Sequence, residues 1–202
     1  NDEDQFSLSS VFGFDMTRVL DDPVIRTAAL MYIFHRTEEM LTGDPVMIFL
    51  DEGWRLLDDD VFAFFIRDKL KTIRKQNGIV GFGTQSAGDI VRSKASNTLI
   101  EQTSTNIFFP NPKADDESYR QAFRLSGREV AWIRGTVPES RAFLIKHGRD
   151  SVVARRNLAS MPDLIKVLSG RTETVAELDA LRARVGDDPA AWLPIFMGRS
   201  EA

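Results

Sequence analysis

Two carboxylates stand side by side at Asp51 and Glu52, directly after the five apolar residues Val46, Met47, Ile48, Phe49 and Leu50. A carboxylate is a hard oxygen donor, so the first acid can hold a hydrated Mg2+ through water. A carboxylate in the next position can orient a second water and take its proton as it attacks phosphorus. Further along, Thr84 and Gln85 close another apolar run, residues 79–83, and offer a hydroxyl and an amide to a γ-phosphate or to the attacking water. Arg74 lies between the two pairs. Each group also has a plainer reading: a buried strand that merely ends in acids, or an arginine bonded to the carbonyls at its own helix end.

The elements that must position these groups follow from the flanking residues. Gly43, Asp44 and Pro45 bound the first run, and its length and branched side chains predict a fully buried strand of a parallel sheet. Its acids then fall at the carboxyl end, where open α/β sheets bind ligands. Before it, Asp22 and Pro23 make an N-cap and first helical position for a helix over residues 24–41, and Gly43 can supply a left-handed stop. Residues 11–15 are a short strand candidate ahead of that helix.

A second helix is expected over residues 61–76. Phe62, Phe65, Ile66, Leu70 and Ile73 share one face and Arg67, Lys71, Arg74 and Lys75 the other, with Phe64 among the basic residues as a hint of a partner surface. Asn77 and Gly78 turn the chain into the strand ending at Thr84. Because Arg74 precedes Gln85 by one strand, it is placed close to the sheet end that carries the acids. Gly81, Gly83 and Gly88 have the wrong spacing for a dinucleotide-binding loop.

The 202 residues, 43% of them hydrophobic, suffice for one substantial core. The chain has no cysteine, which excludes disulfides, thiolate metal sites and thiol catalysis. His35 and His147 are too few for a multi-histidine metal centre. A net charge of −4 gives no indication of nucleic-acid binding, although a local basic patch is compatible with it. No apolar run approaches the ~20 residues of a membrane span, and no signal peptide is expected from the pattern of these residues. The sequence opens on Asn1 rather than methionine, as a fragment of a longer protein would.

Downstream, residues 105–109 form another strand candidate, stopped by Pro110 and Pro112. Helices are expected over 116–125 and, from a capping box at Ser126 and Glu129, through Trp132. Residues 141–147 and 151–155 read as a hairpin at the sheet edge. Three carboxyl-terminal helices follow: one from Met161 and Pro162 through Leu168, one over 174–184 with a capping box at Thr174 and Glu177, and one from Asp187–Pro189 to about Met197.

Several segments in this order resemble one family: 15–16 (DM), 32–39 (YIFHRTEE), 50–54 (LDEGW), 74–77 (RKQN), 84–86 (TQS), 109–112 (FPNP), 125–129 (LSGRE), 141–145 (RAFLI) and 151–155 (SVVAR). Together they look like the carboxyl-terminal half of the large cytoplasmic ATPase of bacterial type IV secretion and conjugation systems. The likeness runs from about residue 10 to about residue 170. It implies an α/β, three-layer RecA-like P-loop NTPase core, with a mainly parallel sheet, an edge hairpin and carboxyl-terminal helices. The corresponding organisation is a frayed lead-in over 1–10, an ATPase domain over 11–170 and a helical extension over 171–202.

The resemblance also implies roles. Asp51 and Glu52 become a Walker B pair, with Asp51 on the Mg2+ side and Glu52 the base for water. Thr84 and Gln85 contact the nucleotide, Gln85 as γ-phosphate sensor, and Arg74 is the arginine finger of a ring or dimer of identical subunits. ATP and Mg2+ are the implied ligands. Other secretion components, including inner-membrane proteins and companion ATPases, are the implied partners, and the inner face of the bacterial cytoplasmic membrane is the implied location. Two departures stand out. The phosphate-cradling GxxxxGK[ST] stretch occurs nowhere in the sequence, and Arg155 is followed by Arg156 where relatives carry an apolar residue. A related DNA-pumping coupling protein, and a non-catalytic docking or oligomerisation module, are the alternative expectations.

Overall fold

The computed structural model describes residues 11–16, 19, 22–56, 59–93 and 95–198. The lead-in over 1–10 and the acid at position 58 lie outside them. Helix α1 (Pro23–Glu39) begins where Asp22 accepts a hydrogen bond from the Ile25 N–H at 3.2 Å. Strand β1 (Val46–Leu50) follows the turn at Gly43, whose φ of 103° suits glycine. Asp59 caps helix α2 (Asp60–Thr72), accepting from the Val61 and Phe62 N–H groups, and the chain then tightens into a 3-10 turn at Ile73–Gln76. Asn77, left-handed at φ 58°, reverses it into β2 (Gly78–Phe82).

β1 and β2 pair in parallel, Val46 opposite Gly78 and Leu50 opposite Phe82. One face of this pair meets a core built by Leu30 and Phe34 of α1, Phe62, Phe65 and Ile66 of α2, and Leu99 of α4 (Ser96–Gln102), against which Leu50, Val80 and Phe82 pack. The Phe34 and Phe65 rings stack at 3.7 Å, and Lys69 of α2 reaches Glu38 of α1 at 2.8 Å. The other face is open: Met47, Phe49 and Ile79 are 69%, 66% and 61% exposed. The fully buried strand expected over 46–50 is therefore corrected to a half-buried one. Helices cover a single side of it, and the pleat sends alternate residues outward.

Helix α3 (Ala87–Arg92) and α4 lead to β3 (Thr105–Phe108), which pairs antiparallel with β4 (Ala142–His147); β4 in turn pairs with β5 (Asp150–Arg155) across a turn at Gly148. The expected hairpin is thus present, attached to β3. The α/β class holds, with the strands divided into a parallel pair and an antiparallel three-stranded sheet. Residues 11–15 are not a strand: they are irregular, and Phe12 and Phe14 pack edge to face on each other at 5.5 Å instead of on a neighbouring strand.

Helix α5 (Asp116–Ala122) and α6 (Gly127–Gly135) pack with the second sheet around Phe108, Tyr119, Val130, Ile133 and Leu144. The predicted capping box forms: the Ser126 N–H donates to Glu129 Oε2 at 2.6 Å and the Glu129 N–H to Ser126 Oγ at 3.3 Å. Beyond the hairpin lie α7 (Pro162–Val167), α8 (Thr172–Val185) and α9 (Pro189–Phe196). The second capping box does not form. α8 starts two residues before Thr174, and Glu177 instead receives the Lys166 ammonium at 2.6 Å. Lys166 also lies 4.5 Å over the Phe196 ring, joining α7 to α9.

Glu129 has a second partner, Lys146 of β4, at 3.0 Å; Lys146 is only 6% exposed. Burial opposes the Glu129 charge, but hydrogen bonds from the Ser126 N–H, Lys146 and the Ser151 and Ser126 hydroxyls outweigh it and lower its pKa from 4.5 to about 2. A carboxyl whose folded value lies below its unfolded one stabilises the fold above the unfolded value. That stability is lost as the pH falls from 4.5 through about 2. A shift of this size corresponds to about 3 kcal/mol. Urea titrations of the chain should show its midpoint falling across this pH interval, and Glu129→Gln should flatten the fall while costing about 2 kcal/mol at neutral pH. Parallel pH dependences for the two proteins would remove the pair from the stability of the fold.

Candidate functional site

The parallel register decides which groups can meet. Beyond Leu50 the ladder gains one more rung, the Gly83 N–H donating to the Leu50 carbonyl at 2.8 Å, so the chain leaves β1 and β2 at the same level. Asp51 and Glu52 depart from one strand and Thr84 and Gln85 from the other. Glu52 turns away at once, with φ 51°, a left-handed backbone that costs a non-glycine residue about 1 kcal/mol. That turn brings its Oε1 to 2.6 Å from Nε2 of Gln85, an amide donating to a carboxylate. The structure brings together Glu52 and Gln85, 33 residues apart in sequence.

Two glycines allow the approach, and they were not singled out from sequence as part of the site. A Cβ on Gly83 would lie 2.9 Å from Asp51 Oδ1, so the Asp51 carboxylate rests over the bare backbone of the neighbouring strand. A Cβ on Gly53 would lie 2.8 Å from the Phe82 ring, on which the turn after Glu52 is seated. The readable signal was a glycine flanking each polar pair, at the end of a strand where two backbones converge.

Thr84 has a local task in the structure. Its hydroxyl accepts from the Ser86 N–H and donates to the Ser86 carbonyl, both at 3.2 Å, closing the turn that presents Gln85. Asp51 is exposed. Among the described residues no three His, Asp or Glu side chains gather into a metal cage. A divalent ion at Asp51 would accordingly draw its remaining ligands from phosphate and water, the usual arrangement for Mg2+.

Arg74 is not near the acids. It sits in the 3-10 turn that precedes β2, and in a parallel pair the start of β2 lies beside the start of β1. Five residues of strand, about 16 Å, separate it from Asp51 and Glu52. The expectation that Arg74 adjoins the acid-bearing end is corrected: α2 carries the chain back to the opposite end before β2 begins. Its guanidinium is exposed and hydrogen-bonds none of the carbonyls of its own turn. Phe64 is 71% exposed beside Arg67 and Lys71, and the Arg67 Nε donates to the Ala63 carbonyl at 2.9 Å. Arg155 and Arg156 are both exposed at the end of β5, with the Arg156 N–H bonded to the Arg141 carbonyl at 2.9 Å.

Comparison with known proteins identifies the family. Residues 9–132 match the family described as the TraG P-loop domain. The type IV secretion system protein virB4 of Bartonella henselae is 46% identical over 203 residues, taking in 100% of this chain and 26% of that protein. VirB4 of Brucella abortus is 40% identical across 100% of the chain, and PtlC, a type IV secretion system protein of Bordetella pertussis, 35% identical across 97%; the chain spans 24% of each. Among solved structures, VirB4 of Thermoanaerobacter pseudethanolicus superposes with a TM-score of 0.55 at 19% identity, over 66% of this chain and 36% of that one, a likeness of fold. The chain thus spans about a quarter of the length of these curated relatives. Matched over residues 9–132, more than half of its length, the chain belongs to the TraG P-loop domain family.

Proposed function

We propose that this chain supplies the hydrolytic half of a nucleotide site in an ATPase that powers type IV secretion or conjugative transfer. The observation that carries the reading is the 2.6 Å contact between Gln85 and Glu52 at the carboxyl ends of adjoining parallel strands, where α/β proteins bind their ligands. Asp51 holds Mg2+ through water, Glu52 takes the proton of the attacking water, Thr84 shapes the turn that presents Gln85, and Gln85 reaches the γ-phosphate. Mg2+, when bound, neutralises charge on the phosphates. Arg74 serves the site of a neighbouring subunit. Similarity to type IV secretion system proteins favours a role in secretion over a DNA-pumping motor. Among the described residues no helix is long and apolar enough to cross a membrane. A place on the cytoplasmic side of the inner membrane, held there by other secretion components, completes the reading.

Most of the affinity for a triphosphate comes from the N–H groups and lysine of a phosphate-cradling loop, and residues 1–202 contain no GxxxxGK[ST] stretch. The isolated chain is therefore expected to fold, to bind Mg-ATP more weakly than micromolar and to turn it over negligibly. Calorimetry checks this directly, and micromolar binding by the isolated chain would overturn the division of labour. Hydrolysis by a longer protein that carries such a loop together with this chain tests the reading as a whole.

A further inference from the structure

The contact between Gln85 and Glu52 gives the glutamine a task distinct from meeting phosphate. We propose that Gln85 is a positioning residue for Glu52, its side-chain N–H fixing one carboxylate oxygen so that the other is presented to the attacking water. The inference rests on the reading of Glu52 as the base.

Three observations carry it. The first is the bond itself, Gln85 Nε2 donating to Glu52 Oε1 at 2.6 Å, a close contact of an amide N–H with a charged acceptor. The second is that both ends of this bond are held by the backbone. Glu52 is fixed in the left-handed region at φ 51°, and Gly53 behind it is seated on Phe82. Gln85 is presented by a turn that Thr84 closes onto Ser86 on both sides. The third is chemical: an amide has two N–H groups, so one on Glu52 leaves the second for a phosphate oxygen. A glutamate side chain carries three rotatable bonds, and the bond to Gln85 narrows the rotamers open to its carboxylate.

The two tasks separate in kinetics. Positioning acts through Glu52, so its loss falls on kcat and vanishes once Glu52 is no longer a base. A phosphate contact acts on the nucleotide, and its loss persists whatever stands at position 52. The experiment uses the longer protein, with phosphate loop and this chain, and compares Gln85→Ala, Glu52→Gln and the double variant by single-turnover hydrolysis and by ATP and ADP affinity. ADP lacks the γ-phosphate, so an unchanged ADP affinity certifies that each variant retains a folded site. Gln85→Ala is expected to lower kcat by about 10–100-fold. Added to Glu52→Gln, it should lower the remaining rate far less than it lowers the wild-type rate, because only the phosphate contact is then left to lose. Losses that multiply, or a Gln85→Ala defect confined to ATP affinity, would overturn the positioning role while leaving the ATPase reading intact. Wild-type protein that binds ATP without hydrolysing it, or Glu52→Gln with normal turnover, would instead overturn the reading beneath it.

Discussion

Replacing Glu52 by glutamine in the longer ATPase is expected to leave ATP binding intact and to lower hydrolysis by about 10²–10⁴-fold, the range that follows loss of a general base. The substitution keeps the side chain's length and shape, so what it removes is the capacity to accept a proton. It also changes the contact with Gln85 from amide on carboxylate to amide on amide, which the glutamine at 85 can still satisfy. Binding and chemistry therefore part company in this variant. Equilibrium binding of ATP alongside steady-state hydrolysis makes the check, and turnover near the wild-type value would take Glu52 out of the mechanism.

An effect at least as large is expected at Arg74, because an arginine that stabilises charge on a transferring phosphoryl group contributes about 10³-fold or more to kcat. The register of β1 and β2 leaves Arg74 about 16 Å from its own acids, further than its side chain extends. If the residue works in hydrolysis, it does so on another subunit. Arg74→Ala and Glu52→Gln should each be inactive alone and should recover activity when mixed. In an equimolar random assembly about a quarter of interfaces would pair an intact Glu52 with an intact neighbouring Arg74. Activity near that fraction of wild type is the expected result. Co-assembly shown by sedimentation with no recovered hydrolysis would assign Arg74 to assembly or to the fold.

How much of this was legible in the sequence depended on whether the information was local. The capping box at Ser126 and Glu129, the cap at Asp59 and the turn at Gly148 are specified within a few residues, and the capping box and hairpin stand where the pattern placed them. Thr174 and Glu177 carry the same capping signature and form no box, because α8 already starts at Thr172 and Thr174 lies inside the helix instead of at its N-cap. The apolar run over 46–50 revealed a strand but not its exposure, which depends on how many faces the rest of the molecule covers. Placing Asp51, Glu52, Thr84 and Gln85 at one end required only that two strands be parallel. Placing Arg74 required counting strand direction through α2, and proximity in sequence to Gln85 misled. The 2.6 Å bond between Glu52 and Gln85 was not readable at all, since it depends on a left-handed turn at a residue type that seldom adopts one.

The open face of β1 and β2 has a consequence for how this sequence is free to vary. The Phe49 ring lies across the bare Gly81 of the next strand, and a Cβ there would come within 2.5 Å of it. Met47, Phe49 and Ile79 lose little water contact in this chain, so by area bookkeeping they add little to its stability. Substitutions at Met47 or Ile79 would then be nearly silent in unfolding measurements on the chain. Yet parallel strands are found with both faces covered. The apolar character of this face is a constraint that the stability of the chain does not impose, and a mutational scan scored on folding alone would mark as dispensable the positions whose chemistry looks outward.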